Sequence, residues 1–127
     1  MQELPSGKVF IYQGEIAVRM LLIAHILQDE ALIDVVCPLV SSIDSDYRDT
    51  CFNMCCSSPK TEIQRKTIIQ ALTEKKYQDI TRAAESILRD DFDREEKKFK
   101  TLKFTEGELA EISRVVTSPF LREWLYL

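Results

Sequence analysis

The sequence predicts an all-α fold, a compact bundle or a short stack of antiparallel helical hairpins with six to seven helices, and three observations carry that prediction. Apolar residues recur at spacings of three and four along most of the chain. Breaking and capping residues at Asp29, at positions 41–46, at Ser57-Ser58-Pro59, at Thr105 and at Pro119 cut it into segments joined by short connections. Only Lys8-Val9-Phe10-Ile11-Tyr12 has the β-branched and aromatic texture of a strand, so the fold holds at most one short N-terminal strand or arm, within residues 1–14.

From Glu15 to Gln28 the chain reads as a helix that is apolar around most of its circumference, with Glu15 and Arg19 forming an i,i+4 pair on its one narrow polar strip. Such a helix is expected at the centre, wrapped by the others. Asp29 is the N-cap of a second helix that runs to about Ile43 and must bend or break at Pro38, which removes the hydrogen bond to the Asp34 carbonyl. Asp44 or Ser45 caps a short third helix through Tyr47, Cys51, Phe52 and Cys55, and Ser57-Ser58-Pro59 ends it. A fourth helix is expected from Lys60 to Glu74, with Ser58 as its cap and Pro59 in its first turn.

The fifth is the longest, a charged helix over residues 75–104. It is apolar at Ile80, Ala84, Ile87 and Leu88 and then thinly at Phe92, Phe99 and Leu102, and its polar face carries acid-before-base pairs such as Asp93 to Lys97 and Glu96 to Lys100. Thr105-Glu106-Gly107-Glu108 has the form of a capping box and opens the next helix. Thr117-Ser118-Pro119 restarts a last apolar turn or two bearing Phe120, Leu121, Trp124 and Leu125. Val18-Arg19 and Tyr47-Arg48 open faintly similar patterns, but their offset is shorter than the period of common helical-hairpin repeats and no third copy follows.

With 127 residues, 45% hydrophobic and 30% charged, the chain suits one domain, residues 1–127, able to bury a core without disulfides or a metal. A net charge of −4 argues against a surface built throughout to neutralise phosphates. The charge is uneven: three basic and eight acidic side chains precede Pro59, and fourteen basic and thirteen acidic ones lie from there on. Residues 1–12 do not form a secretory leader, and the run from Ile16 to Leu27 is too short and too interrupted to cross a bilayer, so the expected location is intracellular, cytoplasmic or nuclear, with no membrane contact.

The chain holds little that could carry catalysis. Its one histidine, His25, sits in an apolar helix, where a packed role is the ordinary one. Cys37, Cys51, Cys55 and Cys56 lack the two short-spaced pairs of a zinc site, and Cys55 and Cys56 point about 100° apart on a helix, so the thiols read as small buried hydrophobes. The Asp44 and Asp91 stretches start with D-x-D spacing but lack the glycine and the closing glutamate of a calcium loop. Gly7, Gly14 and Gly107 stand alone, so no phosphate cradle is present. The expectation is a non-enzymatic protein without metal, cofactor or small-molecule substrate.

What rises above background is apolar surface. Leu88, Phe92, Phe99 and Leu102 make a thin seam on the expected long helix, ringed by Asp91, Arg94, Glu95 and Lys98, and this is the expected contact surface for another protein or for self-association. The function expected is that of an adaptor, an assembly subunit or a regulatory factor. The alternative is a nucleic-acid-binding helical protein that uses Lys97, Lys98, Lys100 and Lys103 at the basic end of the same helix, with Phe99 and Phe104 interleaved for stacking.

Overall fold

A computed structural model describes residues 14–116. The arm expected at 1–14, apart from Gly14, and the apolar tail at 120–127 lie outside the described residues. Within them the elements are α1 (Gly14–Leu27), α2 (Glu30–Val36), a 3₁₀ helix (Cys37–Ser42), α3 (Ser45–Cys56), α4 (Glu62–Glu74), α5 (Gln78–Asp91), two short strands β1 (Phe92–Asp93) and β2 (Lys98–Phe99), and α6 (Glu106–Val115). The fold is all-α, with one two-stranded antiparallel sheet.

The packing alternates along the chain. α1 lies against α3 and α3 against α5, forming one layer; the 3₁₀ helix lies against α4 and α4 against α6, forming the second. Two helical pairs, α1 with α2 and α3 with α4, therefore stack side by side with α5 after them and α6 packed on α4, and the buried apolar residues of both layers form one continuous core around Leu21, Val36, Phe52, Ile68, Leu72 and Leu88.

Local chemistry explains most of the boundaries. The Asp29 carboxylate accepts from the Leu32 N–H at 3.1 Å and starts α2. Pro38 converts the next turns to a 3₁₀ helix, the break its missing N–H requires. α3 follows Asp44, whose carboxylate caps no N–H of its own helix but accepts from the Gly14 N–H at 3.4 Å, tying the start of α1 to α3. Gly14 packs so closely on Tyr47 that a Cβ at that position would collide with the ring. Thr105 and Glu108 form both halves of the capping box that opens α6. Arg48 crosses from α3 to the start of α5, donating to Asp79 at 3.4 Å and lying over the Tyr77 ring at 3.8 Å.

Two boundaries differ from expectation. α4 begins at Glu62 behind Thr61, whose hydroxyl accepts from the Gln64 N–H, and not behind Ser58; Ser57 to Lys60 form a non-helical connection. The long helix over 75–104 does not exist. Lys75 takes a left-handed conformation (φ 51°) that separates α4 from α5, and α5 ends at Asp91. Aspartate side chains cause that second stop by outbidding the helix for backbone donors. Asp93 Oδ1 accepts from the N–H groups of Glu95 and Glu96, making a turn. Asp91 accepts from the Thr101 N–H at 2.9 Å, the Thr101 hydroxyl at 2.6 Å and the Leu102 N–H at 2.9 Å. The chain between them folds back as a hairpin that pairs Phe92 with Phe99, and Asp93 and Lys97 are no longer one helical turn apart.

The Asp91 clamp is testable. Partial burial pushes its carboxyl up, but the donors from Thr101 and Leu102, with the nearby Lys100 ammonium, outweigh this and hold it below the usual carboxylate range. Asp91→Ala is expected to cost about 1–2 kcal/mol at neutral pH, a figure reduced for its partial exposure. A carboxyl depressed by folding stabilises above its unfolded pKa of about 4 and loses that contribution as the pH falls through its folded value. The gap between wild type and variant in urea melts should therefore narrow below that pH.

Candidate functional site

α1 is not the wrapped central helix its composition predicts. Among the described residues it forms the outer edge of its layer. Gly14, Ala17, Leu21 and Ala24 face inward, and the large residues face out: Leu22 is 50% exposed, Ile23 52%, Ile26 79% and Leu27 66%. The reason is the close approach of α3, which selects the side of α1 with small residues as the contact and leaves the bulky side over. Glu15 and Arg19 pair at 2.7 Å as expected, on the solvent side. Val35 of α2 is half exposed as well.

The seam expected to bind a partner is core. Leu88 is fully buried, Leu102 nearly so and Phe92 only 8% exposed. Phe99 is partly buried between two edge-on rings, with centroids 5.3 Å from Phe92 and 5.6 Å from Phe104. The hairpin brings these four residues together, but turns them into the core in which Leu88 lies. Of the charges expected to ring them, Asp91 is the clamp described above, while Arg94, Glu95 and Lys98 are exposed on the hairpin. The expected basic helix end is lost for the same reason. Lys97, Lys98, Lys100 and Lys103 are exposed but lie on the hairpin and the loop after it, and the Phe99 and Phe104 rings engage each other instead of standing free to stack on bases.

The cysteines form an unexpected cluster. All four are buried and free. Cys37 lies on the 3₁₀ helix, which packs against α3, the helix that carries Cys55 and Cys56. The influence of Cys55 and Cys56 draws the Cys37 thiol down to about 5, against burial and the fields of Asp34 and Glu30. Cys37 in turn pushes the Cys55 and Cys56 thiols up, and burial adds to it. Cys51 stands apart, raised to about 11 by burial and the nearby Asp49. Among the described residues no group of three or more His, Cys, Asp and Glu side chains is arranged to hold a metal ion.

Beside the cluster lies a cavity of about 170 Å³ whose lining includes His25, Glu30, Cys55, Ser58, Lys60 and Gln64. His25 Nε2 donates to the Met54 carbonyl at 2.7 Å, which occupies that nitrogen and defines the tautomer. Gln64 is the node of the site, an amide only 1% exposed. Its Nε2 donates to Glu30 and to Asp34, each at 3.1 Å, and its Oε1 accepts from the Lys60 N–H at 2.8 Å. The Thr61 hydroxyl also donates to Asp34, at 2.8 Å. Sequence reasoning passed over Gln64, although its place four residues before Ile68 on the inward side of α4 was a signal. A second, larger hollow of about 360 Å³ between α4 and α6 is rimmed by Lys66, Glu74, Glu108 and Glu111. Glu74 and Glu108 there are held by Gln70 and Arg65.

No helix among the described residues is long and apolar enough to cross a membrane. No curated protein matches the chain, and no solved structure does. The stack from α1 to the opening of α6 falls within residues 4–109, which match the model of a family of unknown function, DUF5724, and the chain belongs to that family.

Proposed function

We propose that this chain is a non-enzymatic protein-interaction module that binds through the outer face of α1, and that the occupant is the equivalent face of a second copy. The observation that supports this most is the run of four large apolar side chains at the end of an otherwise satisfied stack. Stacked hairpins need a polar outer face on their terminal units. The α5 end has its hairpin, with a charged turn at 94–97 in solvent; among the described residues the α1 end has no such cover.

The face suits itself. Leu22 and Ile26 form one i,i+4 row and Ile23 and Leu27 the next, so two copies of α1 can interdigitate about a twofold axis. Glu15 and Arg19 at one end and Gln28 and Asp29 at the other supply a polar rim. The four residues present on the order of 400 Å² per copy, and two opposed faces bury roughly 800 Å², below the size of stable specific interfaces and in the range of weak, transient ones. Association is therefore expected in the micromolar range.

Sedimentation of the full chain across about 1–100 μM tests this. Wild type is expected to shift from monomer to dimer, and Ile23→Glu/Ile26→Glu to stay monomeric with its melting transition nearly unchanged, because both sites face solvent. A wild type that stays monomeric throughout, or a double variant that unfolds, would overturn the reading.

A further inference from the structure

We infer that the cavity of about 170 Å³ where α1, α2, α3 and α4 meet is a binding site for a small neutral α-amino acid, taken up as its zwitterion. The inference does not rest on the α1 face or on self-association. Four helix ends contribute to the lining: His25 lies in the last turn of α1, Glu30 opens α2, Met54 lies in the last turn of α3 and Gln64 in the first turn of α4. The non-helical connection from Ser57 to Lys60 runs along the same cavity. Gln64, almost fully buried and bonded through both ends of its amide, gives the cavity a fixed wall, so the site is formed before a ligand arrives.

The lining holds both signs of charge, and they do not neutralise each other. Among the described residues Glu30 makes no ion pair, and the Lys60 ammonium enters neither an ion pair nor a hydrogen bond. Glu30 uses Oε1 to accept from the Gln64 amide at 3.1 Å, which orients the carboxylate and leaves Oε2 over. His25 donates from Nε2 to the Met54 carbonyl, so its neutral ring keeps Nδ1 as an acceptor. The lining thus supplies Glu30 and His25 as acceptors for an ammonium group. Lys60 and the Ser57 and Ser58 hydroxyls supply donors for a carboxylate.

This pairing selects the ligand. A simple cation would meet the Lys60 ammonium, and a simple anion would meet the Glu30 carboxylate, each at a cost in a partly enclosed space. An α-amino acid carries both groups on one carbon, so each end gives up water for a partner of opposite sign. The volume sets the size. It lies well below the roughly 300 Å³ at which sites for drug-sized ligands begin, and Ile33 and Met54 offer apolar surface for a methyl or a short branched side chain.

The experiment titrates the folded full chain with L-alanine by calorimetry, with propionate, ethylamine and L-phenylalanine as comparisons. Alanine is expected to bind with a dissociation constant of about 0.1–1 mM, within reach of so small a ligand held at two charged ends. At about ten times that concentration it should raise the melting temperature by about 5 °C. Propionate and ethylamine, which each keep one charged end, should bind at least about tenfold more weakly, and the phenylalanine ring should not enter. Lys60→Met, at an exposed position, should weaken alanine at least about tenfold but ethylamine not at all, because it removes a repulsion as well as a donor. Glu30→Gln keeps the oxygen that accepts from Gln64 and should weaken alanine but not propionate. If a variant is destabilised, the four ligands compared on wild type still decide. Propionate or ethylamine binding as tightly as alanine, undiminished alanine binding by Lys60→Met, or neither heat nor a melting shift from wild type at about 10 mM alanine would overturn the proposal.

Discussion

Gln64→Leu is expected to lower the unfolding free energy by about 3 kcal/mol, although leucine fits the same space. Among the described residues the amide alone donates to both Glu30 and Asp34, and its carbonyl oxygen takes up the Lys60 N–H. Its orientation follows from its neighbours, since a flipped amide would face its oxygen to two carboxylates. Leucine removes the donor, so that Glu30 loses it outright and Asp34 keeps only the Thr61 hydroxyl, and the desolvation of both acids is offset less. Gln64→Glu should be worse at neutral pH, because it adds a third carboxylate to the pair. A buried carboxyl between two acids has a raised pKa, so its unfavourable charge is present above that value and relieved as the pH falls through it. Urea melts at about pH 7 and pH 5 should show Gln64→Glu recovering part of its loss at the lower pH while Gln64→Leu does not. Equal losses at both values would show that the node tolerates negative charge.

The node also shows where sequence reasoning stops. Boundaries set by local chemistry were legible: Asp29 as a cap, Pro38 as a break and Thr105-Glu108 as a capping box all act over three or four residues. The meeting of Gln64 with Glu30 and Asp34, or of the 3₁₀ helix bearing Cys37 with the helix bearing Cys55 and Cys56, depends on how helical pairs stack, and neither pattern is written in spacing along the chain. α1 illustrates a different obstacle. A segment apolar on nearly every side has no periodicity to say which side is inside, and only the small residues at Gly14, Ala17 and Ala24 mark the side α3 can approach. Surplus apolar surface is therefore foreseeable from the sequence, but the element that exposes it is α1 and not the segment over 75–104. The odd helices begin at residues 14, 45 and 78, a regular recurrence that the Val18/Tyr47 echo only approximates.

The error over 75–104 has a physical source that a second measurement exposes. Phe92 and Phe99 are seven apart, a spacing that suits one face of a helix and equally suits opposite strands around a four-residue turn. Acid-before-base pairs favour the helix by only a few tenths of a kcal/mol each. Burial of Phe92 and Leu102 with Leu88, together with the Asp91 and Asp93 bonds to backbone, favours the hairpin by far more. Phe92→Ser/Phe99→Ser should consequently cost about 5 kcal/mol, most of it from Phe92, which loses a buried ring and gains a hydroxyl in its place. A loss that large approaches the whole stability of an ordinary domain, so the double variant is expected to be largely unfolded at 37 °C by circular dichroism. Ile23→Glu/Ile26→Glu, with as many substitutions in a stretch just as apolar, should keep the wild-type melting curve. Were the phenylalanine variant to fold as stably as wild type, the rings would be surface groups and the hairpin would not close the core. Were the α1 variant to unfold instead, that helix would be the interior one, and the apolar surface free for a partner would lie elsewhere.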